Sequence, residues 1–114
     1  MGVRLDDITP EEIVSRALGA IDSHNRLMIL NVNVNLLNLA SARPWLRELF
    51  LRTDIAFCDG AGVQLASWLL FGLLPHRTTP PEWIGAVADG MASRGGSVYW
   101  LGGRSRCRDE ARQL

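Results

Sequence analysis

Residues 54–63 have the sequence DIAFCDGAGV, in which four apolar residues run directly into Asp59 and the turn Gly60-Ala61-Gly62. A short run that is apolar throughout is typical of a strand covered on both faces in a parallel sheet. The glycines allow the chain to turn sharply at the strand end, into an apolar helix that begins near Val63. Residues 27–33, with the sequence LMILNVN, predict a second strand of the same kind.

Helix signals alternate with these strand signals along the rest of the chain. Thr9-Pro10-Glu11-Glu12 is a capping box with proline at the first helical position, so it predicts the start of a helix that ends near Asp22. Further helices are predicted over 36–42, 44–51 and 81–93, a third strand over 97–101, and a last helix after Gly102-Gly103. The sequence therefore predicts one α/β domain over residues 1–114, a Rossmann-like parallel sheet with helices on both faces. Because three strands are few for such a sheet, we expect the domain to be truncated.

Composition excludes several function classes. The chain has 114 residues, with 12 basic and 12 acidic side chains, and this balance argues against a nucleic-acid partner, which requires a surplus of positive charge. All the basic residues are arginine, which excludes a catalytic Schiff-base lysine. The two cysteines have no metal-ligand spacing, and Cys58 is expected to be a buried thiol. Neither a metal nor a cofactor is among the expected ligands. The N-terminus has no apolar signal core, so a cytoplasmic protein is the default expectation.

The ends of the three predicted strands hold the candidate site, because ligands of open α/β sheets bind at the carboxyl edge. Asp59 would be held ionised by the following helix N-terminus and could accept a proton or bind a sugar hydroxyl. An N-cap role for Asp59 is equally compatible with the spacing. Asn31, Asn33 and Asn35 alternate after the first strand, and their amides suit sugar or uracil recognition. The simpler interpretation is that Asn35 caps the next helix and Asn33 satisfies a loop.

Two other features could bind phosphate. Gly102-Gly103 follows the third predicted strand, although it lacks the full dinucleotide-binding pattern and is more often a turn. Arg77 lies in a loop from which it could clamp a phosphate with two hydrogen bonds, or simply face solvent. The apolar stretch 65–74 is too short to span a bilayer. A core helix is favoured there over a surface for a membrane or a partner.

Four runs, in this order and spacing, resemble the WecG/TagA/CpsF glycosyltransferases: 29–36 (ILNVNVNL), 54–63 (DIAFCDGAGV), 75–77 (PHR) and 98–103 (VYWLGG). The resemblance implies an inverting, metal-independent transfer of an N-acetylmannosamine-type hexose derivative from a UDP-sugar to a lipid-diphosphate-linked saccharide, in cell-surface polysaccharide or teichoic acid synthesis. It makes Asp59 the general base. The family's strand-end asparagine matches Asn33, and its loop arginine matches Arg77. Together with Asn31 and the glycines of the two strand-end turns, these complete the predicted substrate-binding residues: Asn31, Asn33, Gly60, Gly62, Arg77, Gly102 and Gly103.

The sequence departs from the family pattern in three places. Asn31 stands where the family usually has threonine, and Pro80-Pro81-Glu82 replaces the usual Gly-x-Asp. Members of the family also continue beyond the position that matches Leu114. The resemblance implies a UDP-sugar and a lipid-linked acceptor as partners. It also leaves room for peripheral contact at the inner face of the cell membrane and for homo-oligomerisation. The alternative is a truncated, non-catalytic α/β module that binds nucleotide sugar weakly or acts as an association surface.

Overall fold

The computed structural model describes residues 3–102, and the chain there is α/β with five helices and two parallel strands. In chain order the elements are α1 (Pro10–Asp22), β1 (Ile29–Val32), α2 (Val34–Ala42), α3 (Pro44–Leu51), β2 (Ile55–Cys58), α4 (Ala61–Phe71) and α5 (Pro80–Ser93). Each of these elements was predicted from the sequence, with boundaries that differ by a few residues.

Strand β2 lies at the centre of the hydrogen-bonded layer. β1 pairs with it in parallel, from Ile29 opposite Ile55 to Val32 opposite Cys58. The other edge of β2 is bridged by Asp6, opposite Phe57, and by Arg77, opposite Cys58. Both edges of β2 are thus occupied, and all four of its residues are buried.

The two faces of β2 point into two separate hydrophobic clusters, as expected for alternating side chains. Ile55 and Phe57 pack with Ile8, Ile13 and the ring of Trp83 beside α1 and α5. Ala56 and Cys58 pack on the opposite face, in a cluster that joins α2, α3 and the first turn of α4: Val32, Ala40, Leu46, Phe50 and Val63. Helices therefore cover both faces of the sheet, which confirms the predicted α/β architecture.

Local signals explain where the helices begin. The Thr9 hydroxyl accepts a hydrogen bond from the backbone nitrogen of Glu12 at 3.3 Å, as the capping box predicts. Thr79 and Glu82 form a second capping box at the start of α5. Asn33 caps α2, with its Oδ1 accepting from the backbone nitrogen of Leu36 at 2.9 Å. These caps satisfy backbone donors that would otherwise lack a partner within the helix.

The predicted third strand is wrong. Residues 97–101 are outside any helix or strand, and Tyr99 and Leu101 are 86% and 90% exposed. A short apolar run such as this forms a strand only where a neighbouring backbone offers a hydrogen-bonding edge. The helix predicted after Gly102-Gly103 lies outside the described residues.

Helix α4 also differs from its prediction as a core helix. Val63 is its one buried residue, and the large apolar side chains from Leu65 to Phe71 are more than half exposed. The helix is apolar around most of its circumference, so periodicity gives no indication of which side meets the protein. No helix in residues 3–102 is both long and apolar enough to cross a membrane.

Candidate functional site

The carboxylate of Asp59 lies where strand β2 ends and is held by strand β1. The Asn31 side-chain nitrogen donates to Asp59 Oδ2 at 3.0 Å, and the Asp59 backbone nitrogen donates to the Val32 carbonyl at 2.9 Å. Asp59 is partly buried. The sheet register thus brings two candidate residues, 28 positions apart in the sequence, into direct contact at its carboxyl edge.

Asp59 is not the N-cap of α4. Gly60 occupies the cap position and α4 has no side-chain cap hydrogen bond. Gly60 has φ +130° and ψ 144°, a backbone conformation that is essentially restricted to glycine. The glycine turn therefore directs the chain into α4 without using the Asp59 carboxylate, whose oxygens stay at the strand end beside Asn31.

The asparagines after β1 do not share one face. Only Asn31 lies in the strand, Asn33 caps α2, and Asn35 is inside that helix. The expectation of three aligned amides is therefore wrong, because the strand ends at Val32 and the alternation ends with it. The sequence predicted that Asn35 would cap this helix, but the residue that caps α2 is Asn33.

The loop that carries Arg77 is fastened to the same strand end. Arg77 forms a parallel bridge with Cys58, and the Thr78 backbone nitrogen donates to the Cys58 carbonyl at 2.8 Å. From α4, the Gln64 side-chain nitrogen donates to the Pro75 carbonyl at 2.9 Å. Arg77 itself is exposed, so its guanidinium is accessible to a ligand at the edge where Asp59 lies.

Asp7 fastens this loop from the N-terminal segment. Its Oδ1 accepts from the His76 backbone nitrogen at 2.8 Å and lies 3.3 Å from His76 Nδ1. The backbone hydrogen bond is the main reason that the pKa of Asp7 is lowered, and the His76 side chain adds to the effect. An ionised Asp7 therefore holds the residue next to Arg77 at neutral pH.

Cys58 precedes Asp59 and pairs with Arg77, but its own thiol is inaccessible. Its side chain is fully buried, as predicted. Burial raises the pKa of the Cys58 thiol, the nearby Asp59 carboxylate raises it further, and Arg77 acts in the opposite direction. A thiol that stays protonated is a poor nucleophile, so Cys58 acts here as a packing residue.

The other predicted glycines have different surroundings. A Cβ added at Gly62 would lie 2.8 Å from the Cγ2 atom of Val34, so Gly62 allows the first turn of α4 to approach α2. Gly102 has φ +102° but follows residues 97–101, which do not form a strand. Gly103 lies outside the described residues. Gly102 therefore does not follow a strand.

Two residues that position the loop, Asp7 and Gln64, were not identified from the sequence. Asp7 is 69 positions from His76, and Gln64 is 11 from Pro75. Neither spacing matches a known motif, so the sequence offered no local signal for either contact. Within residues 3–102 no cluster of three or more histidine, cysteine, aspartate or glutamate side chains is arranged to hold a metal ion.

Comparison with known proteins identifies the family. The model of the glycosyl transferase WecG/TagA/CpsF family matches residues 1–114. No curated protein matches the sequence. The family match covers the whole chain, including the strand end with Asn31 and Asp59 and the loop with Arg77. The chain therefore belongs to the WecG/TagA/CpsF family of glycosyltransferases.

Proposed function

We propose that this protein takes part in the inverting transfer of an N-acetylmannosamine-type hexose derivative from a UDP-sugar to a lipid-diphosphate-linked saccharide, in cell-surface polysaccharide or teichoic acid synthesis. Family membership supports glycosyl transfer in general. The hydrogen bond from Asn31 to Asp59 is the observation that supports the proposed chemistry most directly, because it places an oriented carboxylate at the carboxyl edge of the sheet.

Asp59 is proposed as the general base. In an inverting transfer the acceptor hydroxyl attacks the anomeric carbon, a new C–O bond forms, and the bond to UDP breaks on the opposite side with its electron pair leaving on the phosphate oxygen. The carboxylate takes the proton of the attacking hydroxyl. Asn31 holds one carboxylate oxygen, Oδ2, at 3.0 Å, and the other oxygen, Oδ1, would accept the proton.

The remaining candidates are proposed to bind the donor. Arg77, exposed beside the strand end, would pair with the diphosphate, since a guanidinium can make two parallel hydrogen bonds to phosphate oxygens. Asn33 uses Oδ1 in capping α2, so its NH₂ group is the part that can donate to a sugar or uracil oxygen. Gly60 keeps the backbone beside the site free of a side chain.

Calorimetric titration of UDP and UDP-N-acetylmannosamine into the purified chain tests donor binding, and UDP release in the presence of a lipid-linked saccharide tests transfer. Asp59→Asn keeps the shape of the side chain and removes the base. We expect it to bind the donor and to lose UDP release by about 10²–10⁴-fold. Asp89→Asn, an exposed carboxamide change in α5, is the matched control and is expected to behave as wild type. Near-normal release by Asp59→Asn would eliminate Asp59 as the base.

The non-catalytic alternative, an association surface, has one observation in its favour, which is the exposed apolar side of α4. A folded chain that binds neither UDP nor the UDP-sugar, at concentrations that saturate a typical transferase, would favour that alternative. Such a surface is compatible with catalysis as well, and it is independent of the site at the strand end.

A further inference from the structure

We propose that Asp7 is a positioning residue for donor binding. It holds the tip of residues 75–78, called here the arginine loop, so that the Arg77 guanidinium is ordered for the diphosphate. Its Oδ1 accepts a hydrogen bond from the His76 backbone nitrogen at 2.8 Å, one residue before Arg77. This inference rests on the proposed function, because it takes the diphosphate of the UDP-sugar as the ligand of Arg77.

The arginine loop is anchored at both of its ends by buried residues. Pro75 is buried, and its carbonyl accepts a hydrogen bond from the Gln64 side-chain nitrogen at 2.9 Å. Thr78 is buried as well, and its backbone nitrogen donates to the Cys58 carbonyl at 2.8 Å while its hydroxyl donates to the Ile8 carbonyl at 3.3 Å. These contacts determine the path of the loop, but they leave its two middle residues exposed.

Asp7 makes the contact with the exposed tip of the loop. The N-terminal segment and the arginine loop run parallel to β2 along the same edge, opposite Phe57 and Cys58 respectively. Asp7 lies where the two segments meet, and its Oδ1 contacts both the backbone nitrogen and the ring of His76, the latter at 3.3 Å from Nδ1. Among the residues that the structure describes, Asp7 is the one whose side chain forms hydrogen bonds with this tip.

The tip of the arginine loop and Asp59 lie at the same strand end. Arg77 forms a bridge with Cys58, the residue directly before Asp59. The two charged side chains also act on the Cys58 thiol in opposite directions, since Asp59 raises its pKa and Arg77 lowers it. A hydrogen bond at the preceding backbone nitrogen restricts the backbone that carries Arg77. An arginine that is already ordered loses less conformational freedom on binding, so it binds the diphosphate more tightly.

The exposure of Asp7 makes its role in binding separable from folding. Its side chain is 68% exposed, and exposed ion pairs contribute little to stability. Asp7→Ala removes the hydrogen bond to the loop, whereas Asp7→Asn keeps an oxygen that can accept it and removes the negative charge. Asp22→Ala is the matched control, because Asp22 is also an exposed carboxylate in an ion pair, with Arg94. It ends α1, which leads back from the carboxyl edge to the start of β1, so it is remote from the site.

Calorimetric titration of UDP into the purified chain tests the proposal, with circular dichroism to verify that each variant is folded. We expect Asp7→Ala to raise the Kd for UDP by about three- to tenfold, the usual effect of losing one hydrogen bond, and Arg77→Ala to raise it by about tenfold or more. Asp7→Asn should bind UDP at least as tightly as wild type, and Asp22→Ala should match wild type. In the Arg77→Ala background, Asp7→Ala should have no further effect, because Asp7 acts through Arg77.

Backbone amide exchange, followed residue by residue by NMR, tests the contact itself. The His76 amide should exchange faster in Asp7→Ala than in wild type, and at the wild-type rate in Asp7→Asn. Four results would overturn the role of Asp7 and leave the donor site standing: unchanged exchange at His76, UDP binding that is insensitive to Asp7→Ala, an effect of Asp7→Ala that persists without Arg77, or Asp7→Asn binding as weakly as Asp7→Ala. A folded wild-type chain that binds no UDP would instead refute the proposed donor site, and the role of Asp7 with it.

Discussion

Replacing Gly62 by alanine tests the close approach of α4 to α2. Alanine in place of glycine inside a helix stabilises a protein by up to about 1 kcal/mol, because glycine loses more conformational freedom on folding. At Gly62 this gain is opposed, since the new Cβ would lie 2.8 Å from the Cγ2 atom of Val34. Moving a β-branched side chain off its preferred rotamer costs about 0.5–1.5 kcal/mol. We therefore expect Gly62→Ala to change stability by less than about 0.5 kcal/mol in either direction.

Gly85 supplies the control for this prediction. It lies inside α5, and a Cβ there would meet no atom within 4 Å. Gly85→Ala should therefore give the full helix gain of about 1 kcal/mol, a rise in Tm of roughly 4–8 °C. Urea denaturation at matched pH measures both variants.

Removing the obstacle should restore the gain at Gly62. In the double variant Gly62→Ala/Val34→Ala the shortened side chain no longer meets the new Cβ, so the two substitutions should couple favourably by about 0.5–1.5 kcal/mol. The Val34→Ala variant provides the reference for this comparison. If Gly62→Ala alone is as stabilising as Gly85→Ala, Val34 presents no obstacle and the packing role of Gly62 is refuted.

Three further predictions concern the contact of Asp7 with His76 and two buried residues of the core. The pKa of Asp7 is lowered by its hydrogen bonds from His76, so its contribution to stability is present above the ordinary carboxyl pKa and is lost as the pH falls through the lowered value. The urea midpoint should therefore fall more steeply in wild type than in Asp7→Asn as the pH drops below the ordinary carboxyl pKa of about 4. Cys58, buried and with a raised pKa, should resist a thiol reagent at pH 8 in a Cys107→Ser background until urea unfolds the chain, and rapid native labelling would contradict its burial. Phe57→Ala removes a buried ring whose centroid lies 5.9 Å from that of Trp83, and should cost about 3–5 kcal/mol; a loss below about 1 kcal/mol would show that this cluster is loosely packed.

Local signals in the sequence were sufficient for the helices and strands that the structure describes and for the position of Asp59 after a strand. The capping box at Thr9 and the fully apolar run 55–58 are each defined by residues adjacent in the sequence. Both features were predicted correctly. Asp59 was identified because a carboxylate before a glycine turn is a local pattern. The same reasoning could not decide whether that carboxylate capped the helix, since the answer depends on the backbone angles of Gly60.

Features that depend on a distant partner were missed or predicted wrongly. An apolar pattern indicates which residues would be stable when buried, but it does not supply the surface that covers them. Residues 97–101 and α4 were therefore assigned to a sheet and a core that the structure does not form around them. The contact of Asp7 with His76 joins positions 69 apart and follows from the placement of the N-terminal segment beside β2.

The fold holds the proposed base rigidly and leaves the helix after it loosely packed. β2 is hydrogen-bonded on both edges and buried along its length, and Asp59 follows it directly, so the position of the carboxylate is determined by the strand and by Asn31. Val63 is the one buried residue of α4 and the outer side of the helix is exposed, so that side does not contribute to the position of Asp59. A catalytic group needs a supporting structure that fixes it to within about 0.5 Å. Here β2, paired on both edges, together with Asn31, supplies that support for the proposed base.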